Sequence, residues 1–518
     1  MASRTPRVGR GFGWFKSPLP ELLVGLTAAG VYVWRVNTPS PWRDEMDTLS
    51  IARRSVHDII ALTRHVDAVH RAYYLLSHVV LGISGTVTAI RLMSVVAMAG
   101  ATAVVVHVGR GLGEPGAGVS AGLVLAVSPL ASRYAQEARP FAIVTAVGAM
   151  ATALLVAAVW RASEGRRAGP WWLGYGVAVV LLGTVNVLAL LLLVAHGAFV
   201  VSRARGTIGR WLSVTVVAVG VLGPHLVGAF GQREQVRWAT RPHVYDLTGF
   251  YISAFGTKAL PLLIAMVTVV VVLVRLVRAR WNLRATVEAL PATLILGVTW
   301  AVLPAVTLWL LSQVVSFWHV RYLVYCLPGL ALWVAALPGA VRDVAMGSAG
   351  KAPGSVRPRT SMTLALAGTV VLVAALGLPA QRDYRDPSAG HGEDIRAAVA
   401  LLDAEARPGD AVLYAPHTLR AIDTWYAQHA PALDDVALEV DPLTAQNLAG
   451  IEVLPADLPR RLDQIPRVWL VYSDALGPSI VTPTDAAKFT LPQDGYARVA
   501  HHQFVSLTVD LYQRGLGQ

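Results

Sequence analysis

The sequence predicts an all-α polytopic membrane protein of about eleven spanning helices, followed by a small α/β domain. Three observations predict it. Of 518 residues, 54% are hydrophobic and 15% charged, where soluble domains carry about 25% charged residues. Apolar runs close to the ~20 residues needed to cross a bilayer recur through 1–379. After 380 the chain becomes charged, with Pro and Gly punctuation and short β-type runs.

The apolar runs lie at roughly 19–36, 88–108, 116–131, 141–160, 171–185, 187–202, 211–229, 251–277, 289–312, 321–338 and 361–379. Basic residues mark alternate loops: Arg4, Arg7, Arg10 and Lys16; Arg110; Arg161, Arg166 and Arg167; Arg203, Arg205 and Arg210; Arg278, Arg280 and Arg284; then Arg342, Lys351, Arg357 and Arg359. All fall on one side if 73–86 does not span, and that side is the cytoplasm. The run Tyr73 to Ile83 is short, contains His78 and meets Gly82 and Gly85, so 47–86 reads as helices lying at the outer interface. The first run is not a cleaved signal peptide, because no A-x-A-like site follows it. The expected placement is therefore a plasma (inner) membrane, with the N-terminus cytoplasmic. Residues 1–379 form the membrane domain, with 37–87 as its long extracytoplasmic loop, and 380–518 form an extracytoplasmic domain.

In that tail, Ala411 to Tyr414, Val468 to Tyr472 and Phe504 to Tyr512 read as strands, and 393–406 and 456–464 as helices. About 135 residues suffice for a separate core. The single cysteine, Cys326, excludes an intramolecular disulfide framework. The net charge of +12 resides largely in short loops, where positive-inside topology explains it without a nucleic-acid partner. No internal repeat or heptad pattern is visible.

Chemistry-bearing residues gather in the loops opposite the arginine-rich ones. Asp44 and Glu45 are adjacent carboxylates at a helix end, able to act as a base; with Asp47 they can hold a divalent cation. Taken alone, Asp44 is equally a helix N-cap. His70, Tyr73 and Tyr74 suit sugar binding by stacking and hydroxyl hydrogen bonds, or an interfacial aromatic belt. Between the third and fourth runs, Arg133, Tyr134, Gln136, Glu137 and Arg139 put guanidinium groups where phosphate can be held bidentately; an Arg–Glu pair satisfying itself is the plainer account. Arg233, Glu234, Arg237, Arg241 and His243 follow in 230–250. His319 and Arg321 stand at the mouth of a late apolar run, where charge is costly and usually functional. No phosphate loop, H-E-x-x-H or Cys/His metal spacing occurs, which argues against a nucleotide-driven pump or a zinc protease.

Together these residues resemble the GT-C glycosyltransferases that use polyprenyl-phosphate sugars, in particular the protein O-mannosyltransferase and aminoarabinose transferase group. The resemblance rests on Asp44-Glu45 after a first helix and on His70 to Tyr74 followed by Arg91-Leu92-Met93-Ser94. It rests also on Tyr134-Ala135-Gln136-Glu137-Ala138-Arg139-Pro140-Phe141 and on Arg321-Tyr322. Glu393-Asp394-Ile395-Arg396 and Leu511-Tyr512-Gln513-Arg514 resemble the edges of the outer domain in bacterial members. Arg71-Ala72 departs from the group, whose members usually carry prolines there. The resemblance implies a GT-C fold and a polyprenyl-monophosphate sugar donor. It implies Asp44 as general base, Glu45 as an orienting carboxylate, and Arg139 with Arg133, Arg237 or Arg321 on the phosphate. His70, Tyr73, Tyr74, Tyr134, Gln136, Glu137 and His319 are the expected sugar or acceptor ligands. Mannose is the leading donor sugar, and the acceptor is a protein, glycolipid or cell-wall polysaccharide hydroxyl. The resemblance implies no cofactor, and a divalent cation on Asp44, Glu45 and Asp47 is the alternative. A transporter or flippase for a lipid-linked sugar is the rival reading; it predicts ionisable residues inside helices and broken helices in matching halves.

Overall fold

A computed structural model describes residues 17–233, 241–346, 359–388, 390–423, 433–474 and 482–515. Arg4, Arg7, Arg10, Lys16, Glu234, Arg237, Lys351 and Arg357 lie outside the described residues. The chain divides into two compact units: Met1–Trp34 with Arg91–Gln381, and Arg35–Ile90 with Arg382–Gln518.

The first unit is helical. It contains α1 (Leu19–Val33), most of α5 (Val87–Gly111), α6 (Pro115–Val127), α7 (Pro129–Ala135), α8 (Phe141–Ser163), α9 (Gly169–Val185), α10 (Leu192–Arg203), α11 (Ile208–Val221) and α12 (Gly223–Gly231). It continues through α13 (Val244–Phe255), α14 (Ala259–Arg278), α15 (Leu283–Ala289), α16 (Ala292–Leu311), α17 (Leu327–Met346) and most of α18 (Arg359–Asp383). Among the described residues, six helices are long and apolar enough to cross a membrane, and two bent pairs raise this to at most eight. The expectation of about eleven spans is therefore not met at full length. The runs at 19–36, 171–185 and 187–202 fold as shorter apolar helices, and the run at 251–277 is broken between α13 and α14, where Gly256 turns left-handed (φ 69°).

Close packing follows from small residues. A Cβ on Gly109 would lie 2.4 Å from the Gly118 Cα, and one on Gly297 would lie 2.4 Å from the Trp333 backbone nitrogen. Glycine is thus the residue that lets α5 meet α6 and α16 meet α17. Four helices, α8 to α11, share one buried polar chain. Thr152 Oγ1 lies 3.0 Å from His196 Nε2, the Tyr175 hydroxyl lies 3.1 Å from His196 Nδ1, and Trp211 Nε1 donates to the Tyr175 hydroxyl at 3.1 Å. The two bent pairs are α6–α7, at 65°, and α11–α12, at 55°. Pro129 and Pro224 stand at the breaks; a proline cannot donate the helical hydrogen bond and disfavours helical backbone in the residue before it.

The second unit joins the early loop to the C-terminal tail. The loop folds as α2 (Arg43–Ala52), α3 (Val56–Leu62) and α4 (Arg71–Ile83). At about 1.5 Å per residue, the 13 residues of α4 reach only some 20 Å of the ~30 Å hydrocarbon core. The tail contributes α19 (Ile395–Glu405) and strands β1 (Ala411–Ala415), β2 (Asp434–Asp435), β3 (Leu438–Val440), β4 (Ile451–Glu452), β5 (Arg467–Ser473), β6 (Tyr496–Phe504) and β7 (Leu507–Arg514). The main sheet has the order β2-β1-β5-β7-β6, with β2, β1 and β5 parallel and β5, β7 and β6 antiparallel. Phe504 to Tyr512, expected as one strand, is instead the end of β6, a tight turn and β7. Ser506, at φ 62°, reverses the chain there, a feature that alternation of polarity does not reveal.

Each face of the sheet has its own core. Leu413, Val468 and Leu470 pack with Leu458, Leu462 and Leu491. On the other face Val412, Tyr414, Trp469, Val471, Val509 and Leu511 pack with Ile395, Val399 and Leu402 of α19, and with Met46 and Leu49 of α2. This last contact corrects the expected boundary. The loop at 37–87 belongs with the C-terminal body, because the apolar face of α2 is buried in the core of that body.

Candidate active site

Asp44 and Glu45 occupy the first turn of α2. Trp42, in extended conformation, is the N-cap residue, and Glu45 N donates to its carbonyl at 2.9 Å. Asp44 is therefore not the cap that its sequence position allowed. Both side chains lie in the first turn, at the positive end of the helix dipole. Their exposures differ: Asp44 is half-buried, whereas the side chain of Glu45 is 0% exposed. Asp47 is also half-buried.

The first turn is held by residues about 350 positions away. Arg43 donates from its backbone to Glu393 Oε2 at 2.7 Å and from Nη2 to Glu393 Oε1 at 2.9 Å. The Arg396 guanidinium donates to the carbonyls of Asn37, Thr38 and Pro39 at 2.8, 2.9 and 3.2 Å. Beside Glu45, His391 Nδ1 lies 3.5 Å from Oε2, and its side chain is 0% exposed. Sequence reasoning did not single out His391; only its place just before Glu393 hinted at it.

Farther along the loop, Asp67 adopts left-handed backbone (φ 52°). Its carboxylate accepts from the Tyr74 hydroxyl at 2.8 Å and lies 3.9 Å from His70 Nδ1. Tyr73 and Tyr74 are buried, and their rings tilt against each other 6.1 Å apart. Neither offers an open face for a sugar to stack on, so the expectation of stacking gives way to a structural role. Arg71, where the group has proline, ties the loop back to Thr63 through Oγ1 at 2.7 Å and the carbonyl at 3.0 Å.

In the helical unit, α7 and the turn before α8 carry the other expected residues. Gln136 is buried, and its Nε2 donates to the carbonyls of Tyr32 and Trp34 at 2.7 and 2.8 Å. It thereby ties the end of α1 to the turn before α8, while its Oε1 is buried without a hydrogen-bond partner among the described residues. Arg133 Nε donates to Glu137 Oε1 at 3.1 Å, while Glu137 Oε2 is buried without a hydrogen-bond partner among the described residues. Ser94 donates to the Glu137 carbonyl at 2.7 Å. The turn is therefore pinned, with Arg139 buried in it. Tyr134, Phe141, Tyr322 and His319 form a continuous aromatic row, with ring centroids 5.3, 6.3 and 6.2 Å apart. Arg133 and Arg321 flank this row, 5.8 Å from the Tyr134 centroid and 5.6 Å from that of Tyr322. His319 also accepts at Nδ1 from Arg321 N, at 3.2 Å. Two segments far apart in sequence, 133–141 and 319–322, thus meet as one cationic and aromatic surface. Tyr134 and Phe141 are buried in it and Arg133, His319, Arg321 and Tyr322 half-buried, so the guanidinium groups are the part that can meet an anion.

Asp44, Glu45 and Asp47 do not bring their ligand atoms together as a metal grouping. Among the described residues, His417, Glu452 and Asp485 do, within 4.8 Å of one another. A cation is already built into that group: Lys488 Nζ donates to Glu452 and Asp485 at 2.6 and 2.7 Å and to the Tyr414 carbonyl at 2.6 Å. Burial alone would raise the Asp485 carboxyl, but His417 and Lys488 hold it below the usual carboxylate range.

No protein-family model matches the sequence, and no curated protein matches it. Among solved structures, ArnT from Cupriavidus metallidurans bound to undecaprenyl phosphate matches with a TM-score of 0.57. Its apo state matches at 0.55. Both share 14% identity, over 95% of this chain and 97% of that chain. This chain has the fold of ArnT. The GT-C architecture expected from the motifs is thereby present over nearly the full length. The match covers residues of both the helical unit and the unit that carries the small sheet.

Proposed function

We propose that this protein is a multi-pass membrane glycosyltransferase that moves a sugar, with mannose first among candidates, from a polyprenyl-monophosphate carrier to an acceptor hydroxyl on the extracytoplasmic face. The observation that carries this reading is a half-buried Asp44 beside a buried Glu45, on the first turn of α2, in a chain with ArnT's fold. That the ArnT neighbour binds undecaprenyl phosphate supports a lipid-phosphate donor.

In this reading the acceptor oxygen attacks the anomeric carbon while the bond from that carbon to the phosphate oxygen breaks. The acceptor proton passes to Asp44, and the electron pair leaves with polyprenyl phosphate. Phosphate is a good leaving group without protonation, so one base and a cationic cradle suffice, unlike the paired carboxyls of a glycosidase. A single displacement inverts the anomeric centre. Arg139 and Arg321 are the first choices for the phosphate, since Arg133 is engaged by Glu137. Arg237 keeps the same proposed role. His319 and Tyr134 line the surface beside them. The acceptor is a protein, glycolipid or cell-wall polysaccharide hydroxyl.

The test is turnover of undecaprenyl-phosphate mannose, arabinose and aminoarabinose by protein in nanodiscs, with a membrane extract as acceptor. Asp44→Asn is expected to lower turnover by about 10²–10⁴-fold, the usual contribution of a general base. Normal turnover by that variant would sink the assignment. The bent pairs α6–α7 and α11–α12 favour a second reading, a flippase for a lipid-linked sugar, since transporters use broken helices. Transbilayer movement of intact donor without release of polyprenyl phosphate would establish it instead.

A further inference from the structure

We infer that His391 is a positioning residue for the transfer reaction: through Glu45 it fixes the rotation of the first turn of α2 and so the aim of Asp44. The inference rests on the glycosyl-transfer reading above and names a residue which that reading does not use.

A fully buried carboxylate requires a charged or hydrogen-bonding partner, because desolvation without one costs several kcal/mol (about 1–3 for an unmet hydrogen bond, more for a charge). The His391 imidazole is such a partner for Glu45, 3.5 Å away and equally enclosed. A glycine stands on either side of it. Before it, Gly390 donates to the Asp386 carbonyl at 3.2 Å, and a Cβ there would lie 2.7 Å from that oxygen and 2.8 Å from the Tyr384 carbonyl oxygen. After it, Gly392 takes φ 91°, a conformation that L side chains rarely adopt. Ser40 N donates to the Pro387 carbonyl at 2.9 Å, so the turn that carries His391 is fastened to the stretch that leads into α2.

Successive side chains on an α-helix point about 100° apart. With Glu45 directed inward to His391, Asp44 is turned to the half-exposed face of the same turn. Loss of the imidazole frees Glu45 to reorient and Asp44 to rotate with it. A misplacement of about 1 Å at a reacting group costs on the order of 10²-fold in rate.

The experiment uses full-length protein in nanodiscs and the undecaprenyl-phosphate sugar that the wild type turns over. His391→Asn puts an amide nitrogen near the position of Nδ1, whereas His391→Gln carries its amide one bond farther, toward the position of Nε2. The Asn variant is expected to retain kcat within about tenfold, and the Gln and Leu variants to lose about 10²-fold, with donor KM moving less than about threefold in all of them. In a Glu45→Gln background, His391→Leu is expected to cost less than about threefold more, because its effect passes through Glu45. Unfolding temperature is recorded for each variant, and losses that track it rather than the Asn–Gln distinction would reduce His391 to a packing role. Equal kcat for Asn and Gln, or full additivity with Glu45→Gln, overturns the inference while leaving the glycosyl-transfer reading intact. No turnover by wild type on any of the three donors overturns both.

Discussion

Gln136 shows how one side chain can look like a ligand and act as a tie. Its amide nitrogen serves the carbonyls of Tyr32 and Trp34 at the end of α1. Gln136→Ala should therefore lower stability by about 1–3 kcal/mol, the usual consequence of leaving buried carbonyls unmet, and leave donor KM unchanged. Thermal unfolding read beside steady-state kinetics checks this; a raised KM at unchanged unfolding temperature would return Gln136 to the binding surface. The cluster in which it sits, 133–141, was legible in sequence as a place where charge meets apolar runs. The division of labour within it was not, because Gln, Glu and Arg carry the same chemistry whether they face a substrate or a neighbouring backbone. Asp44 and Glu45 were legible as adjacent carboxylates at a helix start, a pattern that capping also produces. His391 was not, since nothing local to a histidine between two glycines says which carboxylate it will meet.

At the scale of elements, strands and helices were read where their periodicity is strong. β1, β5 and α19 fall where apolar alternation and helical spacing place them. The turn between β6 and β7 was missed because its signal is a backbone angle at Ser506 rather than a pattern. The segment after β1 carries a feature of a different kind. Burial raises the Asp423 carboxyl from 3.8 to about 7; its hydrogen bond from the Tyr414 hydroxyl works against this rise, and nearby Asp435 adds to it. A carboxyl raised in the folded chain binds its proton more tightly there than in the unfolded chain. Its stabilisation is complete below about 4 and is lost as pH rises through about 7. Asp485, held low, acts in the opposite sense and only below 3.8, so it does not confuse that window. Unfolding temperatures measured between pH 4 and 8 should fall more steeply for wild type than for Asp423→Asn. Parallel curves would mean that Asp423 is already ionised throughout.

At the scale of the molecule, apolar runs gave the class and the loops gave an orientation. That orientation is open to a direct check. In a Cys326→Ala background, Val499→Cys on β6 and Arg167→Cys in the loop after α8 both place a thiol at an exposed position. A membrane-impermeant maleimide applied to intact spheroplasts should label Val499→Cys and spare Arg167→Cys until the membrane is opened. The reverse pattern would turn the whole topology over, and with it the proposal that transfer occurs outside. The number of spans was less legible than their positions. Helices of 10–17 residues, such as Leu19–Val33 and Gly169–Val185, read as full crossings when only apolarity is counted. Least legible of all was the partnership of 35–90 with the tail, because periodicity reports on neighbours in sequence and is silent about contacts that skip most of the chain.

That partnership sets a timetable. Arg43 and its carboxylate partner Glu393 are 350 residues apart, and Met46 and Leu49 share their core with residues of α19, the sheet and 419–422. At about 5–20 residues per second, a ribosome needs roughly 20–70 s to bridge that interval. During this time the segment bearing Asp44 and Glu45 has already left the ribosome but lacks the surfaces that will shape it. A chain interrupted between α18 and α19 would carry every helix of the first unit and lack the core into which Met46 and Leu49 pack.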